Sequence, residues 1–218
     1  MLSYIEIPAR NEERAVMLWL HGLGADGGDL EPVVELLGIS GLRHILPDAP
    51  ARPVTINGGM RMRAWYDIAE SDFYGGKSDE AGLMASADAV AELANRCASP
   101  GTPMFMAGFS QGGAVALAVG LKRLENLAGV IVLSGYVPQF LRSGECYRPP
   151  IFMAHGTRDQ VVFPDWGHAS HDWLVSEGFT VCWREYPMAH AICQEEIQHL
   201  AEWVQLMLQR YQTRRTLP

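Results

Sequence analysis

The sequence predicts an α/β domain built on a mostly parallel central sheet flanked by helices. Three observations carry this. Apolar runs of strand length alternate along the chain with segments of helical periodicity, which is the pattern of a parallel sheet wrapped by helices. The runs AVMLWL at 15–20 and MFMAGF at 104–109 are almost uninterrupted in their apolarity, as strands covered on both faces must be. Finally, 218 residues with 48% hydrophobic and 19% charged side chains suffice for one well-buried core and argue against disorder. Residues 1–218 are therefore expected to form a single domain.

The strands are placed in order. Tyr4–Pro8 reads as a short edge strand, and Ala15–Leu20 as a buried one. His44–Leu46, Met104–Phe109, Val130–Leu133 and Ile151–Ala154 follow, and Thr180–Tyr186, rich in strand formers, closes the series. Four helices separate the later strands. Leu83–Cys97 lines Leu83, Ala87, Val90 and Ala94 along one face, and the small residues of Gln111–Leu121 permit close packing on the sheet. Pro164–Glu177 begins with a proline suited to a first turn. Ile192–Tyr211 repeats apolar residues at helical spacing, and the tail TRRTLP is expected to fray. The stretch Ala51–Gly82 is irregular, and so long a loop in a compact domain is expected beside a functional site.

Composition narrows the function classes. A formal net charge of -8 does not suit a phosphate-backbone partner, so no nucleic-acid binding is expected. Docking on an anionic membrane is equally disfavoured, and no apolar run reaches the ~20 residues of a membrane span, so stable membrane insertion is not expected. The four cysteines form neither a CxxC pair nor a zinc-ligand spacing, and read as reduced thiols. The first residues lack the basic start and apolar stretch of a signal peptide. A cytoplasmic protein without bound metal or cofactor is expected.

Gly108-Phe109-Ser110-Gln111-Gly112 is a GxSxG motif between a predicted strand and a predicted helix. In that context a sharp turn presents the serine hydroxyl, while the helix N-terminus favours developing negative charge. Ser110 is then the candidate nucleophile, and it needs a base. Of seven histidines, His190 alone follows a predicted strand and a short loop at the sheet edge where Ser110 should sit. The acid belongs between them in chain order. Asp159 lies in the loop HGTRD after the strand Ile151–Ala154, whereas Asp165 reads as a carboxylate at a helix N-terminus. The backbone N–H of Gln111 is the first oxyanion donor, and the loop HGLGADGG after Ala15–Leu20 supplies a second, assigned to Leu23. That loop also matches GxGxxG, with Asp48 following at the distance of a ribose ligand. The dinucleotide-binding oxidoreductase this would imply leaves Ser110, Asp159 and His190 unexplained.

Six segments together resemble the carboxylesterase and acyl-protein thioesterase family of small α/β-hydrolases, its bacterial carboxylesterases in particular. They are WLHGLGADGGD at 19–29, LPDAPARPVTINGGMRMRAWYD at 46–67, AGFSQGGAVAL at 107–117, LSGYVP at 133–138, HGTRDQVV at 155–162 and WREYPMAHAI at 183–192. The resemblance implies a single-domain α/β-hydrolase fold and hydrolysis of small-molecule carboxylic esters or thioesters by Ser110, Asp159 and His190, with Leu23 and Gln111 at the oxyanion hole. It further implies Trp65 and Val161 as substrate contacts. Small to medium-chain esters are expected, with acyl-protein thioesters and lysophospholipids as alternatives, and a homodimer is compatible with the sequence. No large lid domain fits between Ser134 and Pro150. Ala189 and Ala191 depart from the family's common glycine and polar residue around the histidine. Were position 189 left-handed, alanine there would cost about 1 kcal/mol.

Overall fold

A computed structural model describes residues 1–69 and 78–216. Nine strands and five α-helices follow one another as β1 (Tyr4–Ile7), β2 (Ala15–Leu20), α1 (Glu31–Leu37), β3 (Leu42–Pro47), β4 (Ala51–Val54), β5 (Met60–Arg63), α2 (Glu80–Cys97), β6 (Met104–Phe109), α3 (Gln111–Lys122), β7 (Gly129–Leu133), β8 (Ile151–Gly156), α4 (Pro164–Ser176), β9 (Val181–Tyr186) and α5 (Gln194–Thr216). Seven strands form the main sheet in the order β1-β3-β2-β6-β7-β8-β9, and β4 and β5 form a separate hairpin. Only the β1–β3 pair is antiparallel within the main sheet.

The apolar strands are buried on both faces because successive side chains point to opposite sides. In β2, Val16, Leu18 and Leu20 join the core under α2, α3 and α4, while Met17 and Trp19 join the core under α1 and α5. Every residue of Ala15–Leu20 is fully buried. Close approach of α3 is permitted by its small residues, and all of Gln111–Leu121 is buried.

Three elements differ from the sequence reading. Helix α1 is unanticipated, since its seven residues EPVVELL follow a one-turn 3-10 helix at Gly27–Leu30 and are too few to show periodicity. The stretch Ala51–Gly82, read as irregular, contains the β4–β5 hairpin and the start of α2, with residues 70–77 outside the described ones. Its strands ARPV and MRMR are largely exposed, so no apolar alternation marked them. The tail expected to fray instead continues α5 to Thr216, with residues 217–218 not described. Between β7 and β8 the chain makes one short 3-10 helix at Gln139–Arg142 and adds no lid.

The topology puts the important loops on one rim. Parallel pairing aligns Leu20 with Gly108, Phe109 with Leu133, and Gly156 with Tyr186. The loops leaving β2, β6, β8 and β9 therefore emerge together at the carboxyl ends of the strands, where open α/β sheets bind ligands.

Candidate active site

Ser110 occupies the turn between β6 and α3 with φ 54° and ψ -120°, a left-handed conformation for a non-glycine residue. Such strain costs about 1–3 kcal/mol and clusters at functional sites. The turn is tied down by the Ser110 N–H donating to the Leu133 carbonyl at 2.9 Å and the Gly113 N–H donating to the Ser110 carbonyl at 2.9 Å. The flanking glycines are sterically required. A Cβ at Gly108 would lie 2.2 Å from the Gly112 carbonyl oxygen, and one at Gly112 would lie 2.1 Å from that of Leu20.

The loops carrying Asp159 and His190 meet beside this turn. His190 Nδ1 is 2.7 Å from Asp159 Oδ2. The other carboxylate oxygen, Oδ1, accepts the backbone N–H groups of Val161 at 2.8 Å and Val162 at 3.0 Å. A carboxylate so bound is oriented and can only accept, so His190 carries its proton on Nδ1 and leaves Nε2 free as a base. The two loops are stitched by the Arg158 N–H donating to the Met188 carbonyl at 3.0 Å and by the Arg158 guanidinium donating to Pro187. The His190 ring rests against Phe109, their centroids 4.7 Å apart. Asp165, the rival acid, sits in the first turn of α4. Ala189 is not among the residues of positive φ, so its side chain brings no left-handed strain.

Ser110 and His190 open onto one cavity of about 480 Å³, with no hydrogen bond joining them in this structure. Catalytic hydrogen bonds commonly tighten only once substrate is bound. Most of the wall is apolar, formed by Leu23, Leu30, Val33, Phe109, Val161 and Ile192, and Asp29 and His21 also line it. Leu23 lies at the cavity in the loop after β2, and Gln111 supplies the first amide of α3. The first N–H groups of a helix have no partner within it, so that of Gln111 is available to an oxyanion. Val161 is 60% exposed at the cavity mouth.

Trp65 is not where the family resemblance placed it. It is completely buried and absent from the cavity wall. Its indole N–H donates to the His21 carbonyl at 2.9 Å and its backbone N–H donates to Gln111 Oε1 at 2.9 Å. These bonds turn the indole inward and make Trp65 a brace between the loop after β2 and the first turn of α3. Asp48 is likewise committed to the chain itself: it accepts from the Gly27 N–H at 3.1 Å and the Ser3 hydroxyl at 3.0 Å. Both oxygens of Asp48 are thus engaged within the chain.

Three supporting residues were not read from the sequence in these roles. The Gln111 side chain, in addition to Trp65, holds the Tyr66 carbonyl through Nε2 at 2.9 Å, joining the segment after β5 to the turn that carries Ser110. His155, fully buried at the end of β8, donates from Nε2 to the Val162 carbonyl at 2.8 Å and so closes the loop that carries Asp159. Burial pushes the His155 pKa down, keeping it neutral. His21 is also fully buried, with Nδ1 2.7 Å from the Gly22 carbonyl and Nε2 accepting the Ala49 N–H at 3.0 Å. Burial lowers its pKa as well. The motif HG at 21–22 is the one signal that could have pointed to this brace.

The fold and this rim of loops define a hydrolase of the α/β-hydrolase superfamily. The model of the phospholipase/carboxylesterase family matches residues 3–208, and the chain belongs to that family. It is similar to acyl-protein thioesterase 1 of Yarrowia lipolytica, with 34% identity covering 92% of this chain and 95% of that one. It is 35% identical to carboxylesterase SOBER1 of Arabidopsis thaliana, covering 89% and 91% of the two chains. The crystal structure of SOBER1 superposes with a TM-score of 0.81 over 89% of this chain and 99% of that one, at 32% identity. Acyl-protein thioesterase 2 of Zea mays gives a TM-score of 0.82 at 27% identity, covering 94% and 99% of the two chains.

Proposed function

We propose that this chain is a serine carboxylesterase that hydrolyses small to medium-chain esters through an acyl-serine intermediate. Ser110 is the nucleophile, His190 the general base and then acid, and Asp159 the orienting carboxylate. The observation that carries the reading is the 2.7 Å contact of His190 with Asp159 at a cavity shared with Ser110. His190 Nε2 takes the hydroxyl proton as Ser110 Oγ attacks the carbonyl carbon. The oxyanion forms against the N–H groups of Leu23 and Gln111. The imidazolium, stabilised by Asp159, then protonates the departing oxygen or sulfur as its bond to the carbonyl carbon breaks, leaving the acyl-serine. Water activated by the same imidazole releases the acid.

The cavity of about 480 Å³ lies within the roughly 300–1,000 Å³ range of small-molecule sites, and its apolar wall suits an acyl chain. Val161, at the mouth, is assigned to the substrate's entry. A thioesterase reading is the second one, favoured by the similarity to proteins named acyl-protein thioesterase. All four cysteines are free thiols, which supports a reducing, cytoplasmic setting. No described helix is long and apolar enough to cross a membrane.

A fluorophosphonate probe tests the nucleophile. It should add its mass to a peptide containing Ser110 in the wild type and leave Ser110→Ala unlabelled. Labelling that persists in the variant would reject the assignment. Aryl esters, acyl-CoAs and lysophospholipids compared at equal concentration then separate the two substrate readings.

A further inference from the structure

A second cavity, of about 560 Å³, lies away from the rim and shares no wall residue with the first. It sits around the C-terminal end of α3, where Leu121 is about 17 Å along the helix axis from Ser110 at ~1.5 Å per residue. Its wall carries three cations, Lys122, Arg142 and Arg148, on a chain whose formal net charge is -8. The rings of Tyr147, Trp173 and Phe179 also line it. The Arg142 guanidinium lies 5.7 Å from the Trp173 ring centroid and that of Arg148 lies 5.1 Å from that of Phe179.

The three cations are not equivalent. Lys122 Nζ donates to the carbonyls of Ser143 at 2.6 Å and Glu145 at 3.0 Å, pinning the segment across the end of α3. Arg148 donates to the Glu177 carbonyl. Arg142 has no acceptor among the described residues, and its Nε is buried without a partner. The carboxylates of Glu145 and Glu177 also border the cavity, yet both residues are solvent-exposed and neither forms an ion pair with these cations among the described residues. Arg142 is only half-buried, but burying its Nε–H without an acceptor still costs free energy. Burial accordingly pushes the Arg142 pKa down, with no opposing influence. A flat donor fork held against an indole and left unanswered is half of a bidentate oxyanion site.

We propose that this cavity binds a small amphipathic oxyanion, its carboxylate or phosphate head accepted by Arg142 and its apolar body lying against Trp173 and Phe179. The class includes organic acids of the kind ester hydrolysis releases. The site does not depend on the roles assigned to Ser110, Asp159 or His190.

Calorimetric titration of the full chain with octanoate and, separately, octyl phosphate tests it, with octanol as the uncharged control. Wild type should show a saturable component that Arg142→Gln weakens at least tenfold and Trp173→Leu also weakens. Octanol should show no component that depends on Arg142. Binding of one anion and not the other identifies the head group and supports the site. Identical isotherms for wild type and Arg142→Gln with both anions would overturn it, even if both proteins bind octanoate at the ester-hydrolysing cavity.

Discussion

Replacing Asp159 by asparagine should nearly abolish turnover while leaving the fold intact. The reason lies in how the carboxylate is shared. Oδ1 accepts two backbone N–H groups, from Val161 and Val162, so an asparagine must keep its carbonyl oxygen there. Its amide NH₂ then takes the place of Oδ2, 2.7 Å from His190 Nδ1. Two donors cannot share that contact. The imidazole must move its proton to Nε2, and a base already protonated cannot take the proton of Ser110. Loss of the correct tautomer in serine triads lowers kcat by ~10⁴, equivalent to about 5.5 kcal/mol of transition-state stabilisation. Steady-state hydrolysis of p-nitrophenyl acetate measures this, with thermal melting as the control for folding. Asp159→Ala serves as contrast: it strands the two N–H groups and should lose both turnover and about 2 kcal/mol or more of stability. Turnover of Asp159→Asn within tenfold of wild type, at an unchanged melting temperature, would refute the tautomer argument and the choice of Asp159.

Two further outcomes follow from buried groups outside the relay. Gln111→Ala should lower stability by roughly 2–4 kcal/mol, because the Trp65 N–H and the Tyr66 carbonyl both lose their partner inside the core. Urea denaturation checks it, and an unchanged midpoint would contradict the bracing role. Glu196, fully buried with Oε1 unpartnered, has its carboxyl pushed up to about 8 by burial. Below the unfolded carboxyl's value of 4.5, both states hold the proton. Between there and about 8 only the folded state keeps it, so stability falls as pH rises across that window and levels off above it. Glu196→Gln should therefore raise the melting temperature more at pH 9 than at pH 5, and equal gains at both would deny the shift.

The strands were legible, and Ser110, Asp159 and His190 could be proposed as candidates, because both readings rest on local signals. Buried strands must be apolar, and a strand-to-helix turn this tight must carry glycine at 108 and 112. Helix α1 and the β4–β5 hairpin were not legible. Seven residues hold too few turns for periodicity, and an exposed hairpin has no core to write an alternation into its sequence. Trp65 shows a different limit. An aromatic in RAWYD can wall a pocket or fill a core, and nothing within its own segment chooses between them. The choice came from partners 44 and 46 residues away, the His21 carbonyl and the Gln111 side chain. His155 was passed over as a base for its place in the chain, yet it closes the acid loop through a carbonyl that only the folded loop brings near.

From its residues alone, this protein's architecture could be stated and Ser110, Asp159 and His190 could be named as candidates, since each reading is tied to the chain's local geometry and to the direction of the strands. Which side chains brace that serine, which indole turns inward, and which arginine is left without an acceptor were decided only by tertiary packing. Hydrogen-bond partners and burial are properties of neighbours in space, and most of those neighbours are distant along the chain.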